Sequence, residues 1–174
     1  LSQDIKGNKK IQIDNKVIKK RKDLFGLNNV VVFSPEEEGI TKGTPLFRRN
    51  YFDRVFSICS YDYLSSLLLY NKTIKQRNSI LKNNKSLFEK EKELEIWDKP
   101  FCVNGLSLWQ KRELFMNSFT NLFLKTVSTF DRKLLLNIKY DLKIKTNKDF
   151  LKKTKENRDI DLAKKYTSSG PHKD

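Results

Sequence analysis

His172 is the only histidine of the chain, and Cys59 and Cys102 are its only cysteines. One imidazole and two thiols far apart in sequence do not make a His/Cys metal cluster. A Ser-His-Asp triad would have to rest on this single His near the chain end. Carboxylates gather as Glu36-Glu37-Glu38, which reads as the acidic first turn of a helix. Gly39-Ile40-Thr41-Lys42-Gly43-Thr44 has the letters of a phosphate loop but not their order. Its Lys precedes the second Gly and would not sit at the mouth of a following helix, so the segment reads as a turn. No G-x-G-x-x-G occurs either. None of these residues carries a catalytic or nucleotide-cradling motif.

What remains is the chemistry of charge. The 174 residues hold 36 Lys plus Arg against 21 Asp plus Glu, a net charge of +15. Such a chain attracts polyanions, whether nucleic acid or an anionic membrane surface. Only eight of the basic residues are Arg. Arg is the usual choice for bidentate phosphate contacts, whereas coding DNA rich in A and T raises Lys and Asn whatever the function. Arg48-Arg49 lies in the first turns of a helical pattern, against the macrodipole. The pair points to an external anion or to an acidic partner such as Asp53, at i+4 from Arg49. Lys72, Lys75, Arg77 and Lys82 read as one basic helical face beside Tyr70 and Gln76, either a solvated surface or one that follows phosphates. Trp97 and Trp109 fall in helical patterns with apolar partners and read as core.

Elements must hold these residues in place. At 37% hydrophobic and 33% charged, the chain predicts a limited core carrying charged helices. Residues 11–14 alternate with period two and, with a turn and a return at 16–18, predict a hairpin. A helical turn is expected at 23–27. Residues 29–33 are a β-branched run that predicts a strand buried on both faces. Ser34 as N-cap and Pro35 at N1 then predict a short helix that stops between Gly39 and Gly43. From Pro45 the period is helical. A first helix carries Phe47, Tyr51, Phe52, Val55 and Phe56, and Ser60 caps a second. The inner stripe of the second is Leu64, Leu67, Leu68, Asn71, Ile74, Asn78 and Leu81. Residues 89–95 alternate in charge and predict a solvated connector. A long helix follows over 97–130, with Pro100 in its first turn and a kink or delay at Gly105. Alternation over 136–144 predicts a half-buried strand. A helix over 149–165 and a return strand at 166–168 complete the chain. No apolar run nears transmembrane length, and two cysteines fit a reducing, cytosolic compartment.

Several short blocks in this order carry a family resemblance. They are Val31-Val32-Phe33-Ser34-Pro35-Glu36, Lys42-Gly43-Thr44-Pro45, Arg48-Arg49, Tyr51-Phe52-Asp53 and Tyr70-Asn71-Lys72. Lys75-Gln76-Arg77-Asn78, Leu81-Lys82, Trp97-Asp98 and a final Thr167-Ser168-Ser169-Gly170-Pro171-His172-Lys173-Asp174 follow. The chain resembles the RecF family of bacterial DNA replication and repair proteins. The resemblance implies an ABC-type ATPase head related to SMC proteins, with a helical arm or lid. It implies ATP and Mg2+ as cofactors, ATP-dependent dimerisation, and binding to single-stranded, gapped or junction DNA. It further implies RecO and RecR as partners, RecA loading, recombinational repair, the SOS response and a bacterial cytoplasmic location. The phosphate loop of such a head is expected upstream of Leu1, and the signature and Walker B acid downstream of Asp174. The chain is thus expected to be an interior piece that does not hydrolyse ATP alone.

The resulting expectation is an α+β chain: an arm of about three helices on partial sheet elements of a P-loop head. Residues 1–43 would end one head lobe, 44–130 form the arm, and 131–174 return toward the head. Arg48, Arg49, Lys72, Lys75, Arg77 and Lys82 are the expected DNA or dimer contacts. Ser34, Pro35, Glu36, Asp53, Gln76, Asn78, His172 and Lys173 are carried over as family motif positions. The alternative is a non-enzymatic helical interaction module whose charge reflects base composition.

Overall fold

The computed structural model describes residues 2–3, 9–13, 16–18, 38–142 and 144–173. The expected strand at 29–33, the helical turn at 23–27 and the motif Ser34-Pro35-Glu36 lie outside these residues. The hairpin forms. Strand β2 (Lys9–Ile13) pairs antiparallel with β3 (Lys16–Ile18), with Ile11 opposite Ile18. A short β1 (Ser2–Gln3) adds to its other edge.

Helix α1 (Gly39–Lys42) closes at Gly43, whose N–H donates to the Gly39 carbonyl. Helix α2 (Pro45–Cys59) starts at Thr44, whose hydroxyl accepts from the Phe47 N–H, with Pro45 at N1. Ser60 alone separates α2 from α3 (Tyr61–Lys82), and its hydroxyl accepts from the Tyr63 N–H. Helix α4 (Leu87–Phe130) is 44 residues long. It begins well before the expected 97. Ser86 and Glu89 form a reciprocal capping box that nucleates it. The mixed charges of 89–95 are therefore the solvent face of its first turns, not a connector. Pro100 sits inside the helix, where it removes the one ladder bond that would reach Ile96. Ile96 is exposed, so water can take up the freed carbonyl.

Four residues join α3 to α4, and the two helices run antiparallel. Leu81 packs near Leu94, Arg77 bonds Asp98, Thr73 bonds Asn104, Ser66 bonds Lys111, and Tyr63 meets Phe115. Helix α2 adds Phe52 and Phe56 against Phe119 and Phe115. From the other side α5 (Asn147–Glu156) drives Phe150 between Phe101 and Trp109, with ring centroids 5.0 and 4.7 Å away. Gly105 permits this approach. A Cβ there would stand 2.6 Å from the Phe150 ring. The glycine makes room for α5 and does not interrupt α4.

Beyond α4 the expectations divide. Ile138, Tyr140, Leu142 and Ile144 turn inward onto the core, as alternation predicts. Among the described residues of 136–144 no strand is present: alternation selects the buried face, but a strand also needs a neighbouring backbone to bond. The helix expected over 149–165 breaks at Asn157 into α5 and α6 (Arg158–Lys164). The return strand expected at 166–168 is absent among the described residues: 166 is a bend, and 167–168 belong to no strand. Side chains take the place of a ladder there: Asn78 Oδ1 accepts from the Thr167 N–H and Asp161 Oδ1 from the Ser168 N–H. No helix among the described residues is long and apolar enough to cross a membrane.

Candidate functional site

Helix α2 carries a polar stripe at helical spacing: Arg49, Asn50, Asp53, Arg54 and Ser57. These residues form one wall of a cleft of ≈ 410 Å3, and Leu64, Leu67, Tyr70 and Asn71 of α3 form the other. Arg49 also reaches a second cavity of ≈ 360 Å3, shared with Arg48, Phe52, Met116 and Tyr140. Arg48 donates from Nη1 to the Gly43 carbonyl at 2.8 Å, which ties α2 to the end of α1. Arg54 lies over the Tyr51 ring, 5.5 Å from its centroid.

Asp53, the acid expected to answer Arg49, is held by a residue of α4. Arg112 donates from Nε to Asp53 Oδ1 at 2.9 Å and from Nη2 to Oδ2 at 2.8 Å. The Tyr63 hydroxyl donates to the same carboxylate at 2.5 Å. Burial pushes the Tyr63 pKa well above that of an ordinary phenol, and the Asp53 charge adds to the rise. Tyr63 therefore stays a neutral donor. Arg112 also donates to the Pro171 carbonyl at 2.5 Å. One guanidinium thus joins α2, α4 and the C-terminal segment.

His172 makes a second link. Its Nε2 lies 2.9 Å from the Thr167 carbonyl and its Nδ1 2.8 Å from the Tyr70 hydroxyl. A carbonyl only accepts, so Nε2 carries the proton, and in the neutral ring Nδ1 accepts from Tyr70. Gly170, at φ +120°, brings this segment close. A Cβ there would lie 2.5 Å from the Tyr70 oxygen.

The expected basic face of α3 is only partly a surface. Lys72, Lys75, Gln76 and Lys82 are exposed. Arg77 is fully buried. It bonds Asp98 at 2.5 Å, lies 3.6 Å from Asp161, and covers the Phe101 ring at 4.7 Å. Arg158 joins it on Asp98. Arg77 is therefore withdrawn from the surface contact set: its phase on α3 matches buried Tyr63, Tyr70 and Thr73. Leu68 of the expected stripe is exposed. Arg112, Arg158 and Asp161 went unnoticed in the sequence, and Asp98 was noted only within the Trp97-Asp98 block, with no role. The signal for two of them was a charge at core spacing, since Asp98 and Arg112 fall in step with Leu94, Phe101, Gly105 and Met116.

Nothing among the described residues gathers three or more potential metal ligands. The Gly39–Gly43 stretch is a helical turn closed on itself and offers no phosphate cradle. Trp109 is core, and Trp97 packs on Ile80, Leu81 and Leu94.

With this geometry in place, the relatives are informative. RecF of Lachnoclostridium phytofermentans is 38% identical over 172 residues, covering 95% of this chain and 46% of that protein. RecF of Leptospira interrogans is 36% identical over 169 residues, covering 95% and 45%. This chain is RecF-like. RecF of Clostridium tetani adds 30% identity over 177 residues, covering 97% and 48%. A solved structure of the recombination mediator protein RecF-ATPrS in the RecFOR pathway superposes with a TM-score of 0.83 and 28% identity, over 97% of this chain and 48% of that one. The RecF-ATP structure superposes at 0.80, with 27% identity over 97% and 47%. No protein-family model matches the chain. The RecF-like chain spans about half the length of the curated relatives it matches.

Within this RecF-like chain three of the five described motif positions are structural. Asp53, Asn78 and His172 hold the helices and the C-terminal segment together. Lys173 lies over the Tyr166 ring, 4.9 Å from its centroid. Gln76 is exposed beside the α3 lysines. The architecture is α+β, with helices dominant.

Proposed function

We propose that this chain is the arm-bearing portion of a RecF-like DNA replication and repair protein. Residues 44–130 serve as the arm, and 1–43 and 131–174 join it to the head. The whole protein binds single-stranded, gapped or junction DNA in an ATP-dependent manner. It works with RecO and RecR in RecA loading, recombinational repair and the SOS response in the bacterial cytoplasm. The observation that carries this reading is collinear similarity to RecF over 95% of the chain. The net charge of +15 supports it. ATP and Mg2+ belong to a phosphate loop and acid that these residues do not supply, and ATP-dependent dimerisation follows from that site.

The DNA contacts we assign to this chain are Lys72, Lys75 and Lys82 on α3, with Arg48 and Arg49 on α2. The three lysines span about 15 Å of helix, a length that follows several phosphates. The test is binding of a fluorescent gapped duplex as salt is raised. Each duplex phosphate contact contributes a slope of about −0.9 in log K against log salt. Reversing Lys72, Lys75 and Lys82 to Glu is expected to weaken binding and flatten the slope by about 3 units. Unchanged affinity in that variant would remove the face from the DNA site. Binding of a protein but of no DNA would favour an interaction module.

A further inference from the structure

We infer that the outer face of α5 is a second surface for the phosphate backbone of DNA, formed by Lys148, Lys152 and Lys155. These lysines are spaced at i, i+4 and i+7, so they stand in one row along the helix. All three are exposed. Phe150 and Thr154, on the opposite side of α5, are fully buried. Phe150 packs on Phe101 and Trp109. The Thr154 hydroxyl donates to the Phe150 carbonyl and lies beside the Cys102 thiol. The row of cations is thus mounted on a helix fixed to α4. It is separate from the lysines of α3. Helix α3 meets α4 at Asn104 and Lys111, whereas α5 meets it at Cys102 and Trp109.

No described carboxylate answers the row. Elsewhere lysines find one: Lys42 pairs with Glu38, Lys85 with Glu93 and Lys111 with Asp62. Among the described residues Lys148, Lys152 and Lys155 pair with none. Glu156 stands four residues beyond Lys152, a spacing that permits a pair, and the pair is not made. Asp149 is turned to the helix start, where the Thr146 hydroxyl donates to its carboxylate. The row therefore directs its charge outward. Seven residues span about 10 Å of helix, and a duplex carries about six phosphate charges over that length. A helix that lies on a membrane needs apolar side chains beside its cations. Leu151, the neighbouring apolar residue, packs on the core instead. The choice of DNA among polyanions rests on the function proposed above, but the surface uses none of the residues assigned there.

The test changes Lys148, Lys152 and Lys155 together to Glu in the full chain. A control changes Lys92, Lys99 and Lys125 to Glu, which shifts the net charge equally; all six lysines are exposed. Binding of a fluorescent gapped duplex is read by anisotropy as salt is raised. The α5 variant is expected to bind roughly tenfold or more weakly than the control, with a slope flatter by about 2–3 units. Acetic anhydride labelling read by mass spectrometry should find Lys148, Lys152 and Lys155 protected by the duplex, and the control lysines not. Gln at the same three positions repeats the comparison if the Glu variant does not fold. Affinity and slope equal to those of the control overturn the proposal, as does an absence of protection. Binding to anionic lipid vesicles without binding to the duplex overturns it too. Weaker binding in the α5 variant but not in the Lys72, Lys75 and Lys82 reversal would keep this surface and remove that of α3. The opposite result would remove this surface alone, and no salt-dependent DNA binding by the parent chain would remove both.

Discussion

Arg77 holds a full positive charge away from solvent, where Asp98 and Asp161 face it. Removing one member of a buried ion group strands the others, at a cost of about 3–5 kcal/mol. Arg77→Met is expected to lower stability by that order in urea unfolding monitored by circular dichroism. Lys75→Glu, on the same helix but exposed, should change it by less than about 0.5 kcal/mol. A loss under about 1 kcal/mol at Arg77 would mean that the group contributes little. The contrast bears on function. Charge reversal at Arg77 would abolish DNA binding by unfolding the arm, so only the exposed lysines report on contact.

Helix α4 depends on its first turn and on one glycine. The Glu89 carboxyl lies below the usual carboxylate range because the Ser86 hydroxyl, and then its backbone N–H, donate to the ionised form. A depressed folded pKa gives stability that is present above the unfolded value of about 4.3 and lost as pH falls through the folded one. The Tm advantage of the parent over Glu89→Gln should therefore shrink between about pH 6 and pH 3. A gap that stays constant across that range would show that the charge is not involved. Gly105 is tested oppositely. Alanine is the better helix former by about 1 kcal/mol, yet its methyl would press on Phe150 at 2.6 Å and Tyr70 at 3.2 Å. Overpacking of this kind costs about 1–3 kcal/mol, so Gly105→Ala should be destabilising in urea unfolding. A stabilised variant would show that α5 can move aside.

Across the whole molecule the excess of positive charge repels itself. The Debye length falls from about 30 Å at 0.01 M salt to about 8 Å at 0.15 M. The Tm is therefore expected to rise with sodium chloride over that range, read by differential scanning fluorimetry. A flat or falling Tm would show that the charges are already compensated. The same screening weakens DNA binding. High salt should thus stabilise the fold while it releases the ligand, which separates the two effects in one titration.

The first two helices of the arm were legible in the sequence because their signals are local: the period turns helical at Pro45, and Ser60 caps α3 through a bond that spans three residues. The start of α4 was not, because the capping box of Ser86 and Glu89 is followed by the mixed charges of 89–95, which read as a connector. The inward set of Ile138, Tyr140, Leu142 and Ile144 was legible from period two. The basic balance was legible from composition. Tertiary structure decided the rest. It determined whether a given cation faces water or a carboxylate: Lys75 and Arg77 lie two residues apart on α3, and Asp98 arrives from a helix that returns antiparallel. It left the described residues of 136–144 outside any strand, although their alternate side chains pack on the core. It brought Arg49 and Arg54 to face Tyr70 across a cleft. Periodicity tells which side of a helix is apolar, whereas the partner of a charge comes from elsewhere in the chain, and only packing brings the two together.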